Sequence, residues 1–325
     1  MNVSPKDYTI FIASHMKDET RLQFLLECLK SLIYQKLQIP IYLSISFENN
    51  DISNHFTNVI NNIDFITNCG FLNICKRNEK TSQMHHYNLL SKEYGNLHKW
   101  VMFCDDDDSY HIDRTLQFAT IIEHSKKQLE KKSNMLYLAG VYESIDNKNH
   151  RTKRYEYWCY CVNMHILTQF MIIVEKYPSV LNDKCCDVLL GEYLRRKDNK
   201  WIFMQIPNKY YNYRIENNND SITGVIRSKQ SKYTILTHPP SEESNEWANY
   251  VFKWNNYLHE NIDVYLHDTY LRTLIGCNLE QIFKSEFLAN YALISYIDKD
   301  HVIKINDKHT IVKNVCDELY DIKLT

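Results

Sequence analysis

An apolar run that ends in four consecutive aspartates, Trp100–Asp108, constrains the fold of this chain more than any other stretch. The apolar residues predict a buried strand. Because side chains alternate across a strand, the first and third aspartates are expected to point one way and the second and fourth the other. Neighbouring carboxylates repel each other by roughly 1 kcal/mol per pair in water, and a cation or polar ligand would offset that repulsion. Ligands of α/β sheets bind at the carboxyl ends of strands; the alternative is a solvated acidic turn.

Strand and helix patterns alternate along most of the chain. The predicted strands cover residues 8–13, 40–47, 71–75, 100–104, 136–142, 155–163, 201–206 and 209–214. The predicted helices cover residues 18–33, 82–94, a segment from about 113, 163–177, 187–196, 245–258 and 265–296. This alternation predicts right-handed crossovers and a mostly parallel sheet flanked by helices over residues 1–230, followed by a mainly helical region, residues 231–325. Asp18 or Thr20 is expected to cap the first helix.

The composition excludes several common classes of enzyme and partner. The six glycines, at positions 70, 95, 140, 191, 224 and 276, are too widely spaced for a GxGxxG motif, a P-loop or a GxSxG elbow. A net charge of −2 gives no basic footprint, so we expect no nucleic-acid partner. The ten cysteines include no CxxC pair and no zinc spacing.

The amino terminus and the hydropathy pattern carry no targeting signal. Met1 leads into polar residues rather than a signal peptide, and no apolar run approaches the ~20 residues that span a bilayer. We therefore expect a cytoplasmic protein without a transmembrane segment. The 24 tyrosines, together with many asparagines and lysines, are typical of an AT-rich source such as a large DNA virus, for which the location would be the host cytoplasm.

With this order of elements in view, the chain resembles the GT-A class of nucleotide-sugar glycosyltransferases, most closely family 2, over residues 7–225. The matching segments are, in order, Thr9–His15, Arg21–Leu32, Cys104–Asp108, Cys186–Arg195 and Tyr210–Thr223. They match the nucleotide-binding first strand, the following leucine-rich helix, the DxD motif, the acidic motif that opens a helix, and the tyrosine-arginine segment with Ser-x-Thr. Two positions depart from the family pattern. The acidic residue that the family commonly has after the second strand is shifted or replaced here, where Phe47-Glu48-Asn49 stands, and Cys186 stands where an acidic neighbour is usual.

The resemblance implies a metal-dependent, inverting glycosyltransferase of the hexosyltransferase type. Its donor would be a nucleoside-diphosphate sugar, with UDP-sugars favoured by the family, and its acceptor a glycan or another hydroxyl compound. The diphosphate leaving group gains negative charge during transfer, so Mn²⁺ or Mg²⁺ would act as a Lewis acid and a template.

The resemblance assigns the metal to the aspartate run. Asp107, as the last acid of the DxD motif, is expected to hold the ion, and Asp105 would lie near the ribose or the metal's waters. Asp108 becomes the ligand if the register shifts by one residue. His238 or His267 would supply a third ligand. The structural alternatives are turn formation for the aspartates and ordinary hydrogen bonding for either histidine.

An inverting transfer also needs a carboxylate that removes the proton from the acceptor hydroxyl. Asp187 opens a predicted helix at the position that matches the family, so the resemblance assigns it this role. Asp183 is the alternative base. A carboxylate in the first turn of a helix is also stabilised by the helix dipole alone, which is the structural alternative for Asp187.

The remaining donor-binding residues are likewise assigned through the resemblance. The residues expected to contact the nucleotide or its diphosphate are Ala13, Ser14, His15, Arg21, Glu48, Lys80, Asp105, Asp106 and Arg214. Cationic side chains suit a diphosphate, although helix-surface salt bridges explain them equally well. Tyr155, Tyr157 and Trp158 lie where family members bind the acceptor, and strand packing is the alternative for these rings.

Two other classes of function compete with a glycosyltransferase. A metal-dependent nuclease or phosphotransferase would also use clustered aspartates, but further acidic ligands and basic contacts are not evident. A catalytically degenerate GT-A-like module would only bind a partner. A calcium-binding EF-hand is excluded, because Tyr110 stands at its glycine position and Leu116 at its glutamate position. Residues 231–325 carry no recognised motif, and their position predicts an acceptor-side role or a homodimer contact.

Overall fold

A computed structural model of the chain describes residues 3–131, 136–144, 156–196, 201–214, 240–284 and 295–320. The chain divides into two compact units, residues 1–214 and residues 215–325. The boundary predicted near residue 230 falls outside the described residues and stays a prediction. None of the described helices has the length and apolar character that a membrane span requires.

The first unit contains a seven-stranded sheet and a separate two-stranded sheet. Its strands are β1 (Tyr8–Met16), β2 (Ile41–Phe47), β3 (Leu72–Lys76), β4 (Trp100–Asp105), β5 (Ser109–Tyr110), β6 (Tyr137–Glu143), β7 (Tyr160–Asn163), β8 (Trp201–Ile206) and β9 (Tyr211–Asn212). The large sheet has the strand order β3-β2-β1-β4-β7-β6-β8, and β5 pairs with β9.

The central strands run parallel, as the sequence predicts. β1 pairs in parallel with both β2 and β4, and β2 pairs in parallel with β3. β7 is antiparallel to its neighbours β4 and β6, whereas β6 and β8 are parallel. In this register Ala13 of β1 lies opposite Ser44 of β2 on one side and Asp105 of β4 on the other. The carboxyl ends of three neighbouring strands therefore meet at one edge of the sheet.

The strands that form this edge are buried on both faces. Ile10 and Phe11 of β1 and Phe103 of β4 have no exposed surface, which is the apolar pattern of parallel strands covered by helices on either side. Further along the sheet, Gly140 of β6 allows a close approach of β7, because a Cβ there would lie 2.2 Å from the carbonyl oxygen of Cys161.

Helices flank this sheet. In chain order they are α1 (Glu19–Ile33), α2 (Asn50–Asn61), α3 (Asp64–Thr67), α4 (Gln83–Tyr94), α5 (Arg114–Glu130), α6 (Met164–Val174), α7 (Pro178–Leu181) and α8 (Cys186–Arg195). Asp18 is the N-cap of α1, since its carboxylate accepts a hydrogen bond from the backbone N–H of Arg21. α1 directs its leucine-rich face into the core, burying Leu22, Leu25, Leu29 and Leu32. The predicted α/β architecture is confirmed.

Two segments differ from the sequence prediction. No strand or helix is predicted over residues 50–61, yet they form α2. The buried residues of α2 are Phe56 and Ile60, and its many Asn, Ser and Thr residues have low helix propensity, which hid the helical period. The strand expected over residues 155–163 is shorter: Tyr157–Cys159 forms a single 3₁₀ turn before β7.

The regular elements described in the second unit are helices: α9 (Trp247–Glu260), α10 (Ile262–Leu274), α11 (Leu279–Phe283) and α12 (Lys299–Tyr320). A core that includes Trp247, Trp254 and Leu258 holds them together. The predicted mainly helical C-terminal region is confirmed, but the single helix expected over residues 265–296 is not continuous. Gly276 adopts a φ of 93°, a left-handed conformation that glycine tolerates and that ends helices.

Candidate active site

The aspartate run lies where the parallel strands β1 and β4 end side by side. Asp105 is the last residue of β4 and pairs with Ala13 across the ladder. Ser14 and His15 follow Ala13 on β1. Strand register therefore brings together the two segments that the sequence assigned to the donor, although they are about ninety residues apart in the chain.

Asp106 is held by partners from β1 and α1. Its side chain accepts a 2.6 Å hydrogen bond from the hydroxyl of Ser14. Arg21 donates to Asp106 Oδ1 at 2.6 Å through Nη2 and to Asp107 Oδ2 at 2.9 Å through Nη1. A planar guanidinium suits this bridging of two carboxylates. The arginine predicted to bind diphosphate is therefore itself a partner of the aspartates.

Asp105 is held by two side chains from other elements. The amide of Gln83 donates to Asp105 Oδ1 at 2.7 Å, and the hydroxyl of Tyr157 donates to the same oxygen. The backbone N–H of Asp105 donates to the hydroxyl of Tyr211 at 3.0 Å. Asp105 remains partly exposed, as does Asp107.

Asp108 faces the two-stranded sheet and is 2% exposed. Its carboxylate accepts hydrogen bonds from the Tyr211 hydroxyl at 2.8 Å and from the backbone N–H of Arg214 at 2.7 Å. The guanidinium of Arg214 donates to the carbonyl oxygen of Asp107 at 2.8 Å and forms an ion pair with Glu27. Arg214 thus fixes the backbone that carries the predicted metal ligand.

Crowding and burial disfavour the charged forms of these carboxylates. Burial, followed by the charges of Asp108 and Asp107, raises the pKa of Asp105 well above its usual value. Burial raises the pKa of Asp106 to about 6, against the opposing charge of Arg21. Burial also raises the pKa of Asp108 to about 7, although the Arg214 amide lowers it. A cation beside these carboxyl groups would favour their charged forms and offset this effect of burial.

A second polar network lies at the ends of β1 and β2. His15 contacts the Ser46 hydroxyl through Nδ1 at 3.0 Å and Glu48 through Nε2 at 2.8 Å. Lys80 pairs with the same carboxylate at 3.2 Å. The hydrogen bonds from His15 and Lys80 lower the pKa of Glu48. Three residues that the sequence assigned to the donor therefore form one connected group.

The two candidates for the base differ in their surroundings. Asp187 lies in the first turn of α8, and its charge contributes to the raised pKa of Asp105, so the two carboxylates are within electrostatic range. Asp183 accepts a 2.9 Å hydrogen bond from the backbone N–H of Cys185, which stabilises the turn before α8. Which of the two acts as the base stays a prediction.

Of the two histidines proposed as a third metal ligand, one belongs to a described element. His267 lies on α10 of the second unit. His238, like Tyr155, is outside the described part of the chain. Both histidine roles stay predictions.

A buried ion pair holds in place the strand that carries Tyr211. Arg114, at the start of α5, and Glu143, at the end of β6, are fully buried and form a 2.7 Å ion pair. Arg114 also donates to the carbonyl oxygen of Trp158 at 2.6 Å. The second oxygen of Glu143 accepts hydrogen bonds from the backbone N–H groups of Tyr210 and Tyr211. This pair therefore fixes β9, whose Tyr211 hydroxyl contacts Asp105 and Asp108.

Sequence reasoning did not single out several residues that build the site: Gln83, Arg114, Glu143 and the specific role of Tyr211. Glu143 has the same signal as Asp105, an acid directly after an apolar strand pattern, and that signal could have found it. Gln83 and Tyr211 gave no such signal, because only the tertiary structure brings them to the aspartates.

The aspartate run fits a divalent ion that arrives with a phosphate ligand. Asp105 and Asp107 are partly exposed residues at the sheet edge, and carboxylate oxygens are the ligands that hard cations prefer. Among the described residues, no three His, Cys, Asp or Glu side chains converge on one point as a metal cage. Mg²⁺ commonly binds through one or two carboxylates together with substrate phosphates, so a cage is not required.

Neither a protein-family model nor a curated protein matches this chain. Among solved structures, it is similar to S. aureus TarS, a GT-A-like glycosyltransferase, with 9% identity over 97% of this chain and a TM-score of 0.44. The match covers 55% of that TarS chain, so this chain spans about half its length. A shorter TarS chain in complex with UDP has 9% identity over 97% of this chain and 90% of that one, with a TM-score of 0.42.

A further similar structure is a 4-diphosphocytidyl-2C-methyl-D-erythritol synthase from Anaerococcus prevotii. It has 14% identity over 70% of this chain and 98% of that one, with a TM-score of 0.36. An activity does not follow from likeness at these scores, so the function has to be argued from the chain's own residues.

Proposed function

We propose that this chain is a glycosyltransferase that moves a sugar from a nucleoside-diphosphate sugar, with a UDP-sugar favoured, to a glycan or another hydroxyl acceptor. One observation carries the proposal. The aspartate run, Ser14 and Arg21 meet at the carboxyl ends of two adjacent parallel strands, and Asp187 lies within electrostatic range of Asp105. Sheet edges of this kind are where α/β folds bind ligands.

The proposed donor site extends from β2 to the aspartates. His15, Glu48 and Lys80 would contact the nucleoside, because they form one polar group at the ends of β1 and β2. Arg21 would contact the diphosphate, since its guanidinium already lies beside Asp107. Binding the leaving group in a fixed position favours its departure, because charge that develops there meets oriented donors.

The proposed metal, Mn²⁺ or Mg²⁺, would be held by Asp107 with support from Asp105. Bound there, the ion would supply Lewis-acid stabilisation of the diphosphate leaving group. Asp108 is less suited to the role, because its two oxygens already accept hydrogen bonds from Tyr211 and Arg214.

The proposed general base is Asp187, which would accept the proton of the acceptor hydroxyl as that oxygen attacks the anomeric carbon. A single carboxylate in this role is the requirement of an inverting mechanism. The C-terminal helical region, residues 231–325, would serve acceptor binding or form a homodimer contact. A cytoplasmic location, in a virus-infected host cell or otherwise, is proposed because none of the ten cysteines forms a disulfide among the described residues.

The proposal is tested by thermal melting with UDP, GDP, CDP and their sugars, with and without Mn²⁺. A ligand that binds only the folded state raises its stability by about 2.7 kcal/mol at 100 times its Kd. We expect one nucleotide, UDP first, to raise the melting temperature in the presence of Mn²⁺. The same nucleotide should give no shift in Asp107→Ala.

Asp113→Ala is the matched control, because Asp113 is a nearby aspartate that pairs with Lys36 outside the cluster. It should keep the full shift. A cooperative melt that no nucleotide changes would refute the donor site. Binding without turnover of any UDP-sugar would instead favour the non-catalytic binding module.

A further inference from the structure

We propose that Tyr157 and Gln83 are positioning residues that hold the carboxylate of Asp105 with one oxygen fixed and the other directed to the ligand. The inference rests on the proposed function, because it concerns the same donor site. The resemblance predicts an acceptor role for Tyr157 and no role for Gln83, whereas this inference concerns what both side chains do to Asp105.

The three side chains form a closed triangle of hydrogen bonds. Gln83 Nε2 donates to Asp105 Oδ1 at 2.7 Å and to the Tyr157 hydroxyl at 2.9 Å, while that hydroxyl donates to Asp105 Oδ1. The amide has two protons and the phenol has one. Every one of these protons is therefore used within the triangle, and both bonds to the carboxylate end on the same oxygen.

The triangle joins three elements that are fixed independently. Gln83 is the first residue of α4, behind the N-cap Ser82. Tyr157 opens the 3₁₀ turn before β7, is 1% exposed, and packs its ring 5.5 Å from that of Phe103. The donors cannot follow Asp105 if it rotates, because packing holds them in place.

The other carboxylate oxygen of Asp105 is left for a ligand. Within the described part of the chain, Oδ2 accepts no hydrogen bond, although Asp105 is partly exposed at the sheet edge. An oxygen that is held in one orientation before the ligand arrives loses little freedom on binding. The anchored carboxylate would thus accept a hydrogen bond from a hydroxyl of the nucleoside, or bind the metal through this one oxygen, without reorienting.

The test compares two near-isosteric variants, Tyr157→Phe and Tyr87→Phe. Tyr87 is the matched control: its phenol is equally buried and lies 3.4 Å from the Tyr157 hydroxyl, but it makes no hydrogen bond to Asp105 among those of the described residues. UDP affinity is measured by calorimetry in the presence of Mn²⁺. Losing a hydrogen bond to a charged group should weaken UDP binding about tenfold in Tyr157→Phe, while Tyr87→Phe stays within about twofold of the wild type.

A double-mutant cycle with Asp105→Asn separates positioning from a general structural effect. If Tyr157 acts through Asp105, Tyr157→Phe should change UDP affinity by less than about twofold in the Asp105→Asn background. Gln83→Leu should repeat this pattern and provides a second variant if Tyr157→Phe melts early. In turnover assays the loss should appear in KM for the donor rather than in kcat, since the anchored oxygen contacts the bound donor throughout.

Several results would overturn the inference. Equal UDP affinity in Tyr157→Phe and Tyr87→Phe would do so, as would a tenfold loss that persists in the Asp105→Asn background. In both cases the wild type still binds UDP, so the proposed function survives. If the wild type binds no nucleotide at all, the proposed function fails and the positioning role fails with it.

Discussion

Two arginines of the first unit each meet carboxylates, and they do so in opposite settings. Arg114 and Glu143, the sealed pair, have no exposed surface. Arg21 is 23% exposed and bridges Asp106 and Asp107 at the sheet edge. The sealed pair directs most of its donors and acceptors to protein groups, whereas the open cluster, Arg21 with Asp106 and Asp107, is partly exposed through Arg21 and Asp107. The same ion-pair chemistry is therefore enclosed by protein in one place and reached by solvent in the other.

The environment of Arg114 shows how completely the sealed pair is enclosed. Its guanidinium carbon lies 4.0 Å from the centre of the Tyr110 ring and 4.8 Å from that of Phe118. One guanidinium nitrogen, Nη1, has no hydrogen-bond partner among the described residues, and these aromatic faces are the groups that can receive its charge.

The largest expected effect comes from breaking the sealed pair. Arg114→Met leaves the buried carboxylate of Glu143 without its cation, and such a loss costs about 3–5 kcal/mol. Urea unfolding should show a lower midpoint with an unchanged slope. The double variant Arg114→Met/Glu143→Leu should lose less than the sum of the two single variants. Additive losses would mean that the two side chains do not stabilise each other.

Breaking the open cluster should cost less. Arg21→Gln removes the bridge between the buried Asp106 and the partly exposed Asp107, and because Arg21 itself is partly exposed we expect a loss of about 1–2 kcal/mol. Raising the salt concentration should shrink the difference between Arg21→Gln and the wild type, because exposed charges are screened more than buried ones. The cost of Arg114→Met should not change with salt. Equal salt dependence of the two variants would contradict the distinction between the sealed pair and the open cluster.

A third buried ionisable group, His86, has serine hydroxyls rather than a carboxylate as its described hydrogen-bond partners. Its ring contacts the hydroxyls of Ser44 at 2.8 Å and Ser46 at 3.3 Å. Burial, with a contribution from the charge of Arg77, lowers the pKa of His86 to about 3. The unfolded chain protonates this histidine below about 6.5, so stability is lost as the pH falls below that value.

Between pH 7.5 and 5.5 the free energy of unfolding should therefore fall by about 1.4 kcal/mol through His86. His86→Gln should lack this component, which is measured as the difference between the two urea-unfolding series. The prediction is wrong if the wild type and His86→Gln lose equal stability over this pH range.

Much of the architecture could be predicted because it depends on local pattern. β1, β2 and β4 are apolar runs, α1 repeats its leucines at helical spacing, and Asp18 caps α1 as one of two proposed residues. The elements that pattern missed depend on weak or interrupted signals. α2 is rich in residues of low helix propensity, and the predicted helix over residues 265–296 ends early at Leu274, before the left-handed Gly276.

The candidate site also has a part that the sequence predicted and a part that it did not. An acidic run after an apolar strand predicted that the aspartates lie at the carboxyl edge of the sheet, because a parallel α/β pattern places strand ends together. The sequence also placed Ser14 at the carboxyl end of β1 and Arg21 in the helix that follows it. It could not give the partners of each carboxylate, since Gln83, Tyr157 and Tyr211 come from three other elements.

By itself, the sequence of this protein determined the mostly parallel α/β order, the helical C-terminal region and the position of the aspartates at a strand end, because apolar period and residue type act locally. Only the tertiary structure decided how the four aspartates differ. Arg21 bridges Asp106 and Asp107, Tyr157 and Gln83 anchor one oxygen of Asp105, and Tyr211 with the Arg214 amide holds Asp108. Four identical side chains in a row acquire different environments because hydrogen bonds and burial depend on distant residues that only folding brings together.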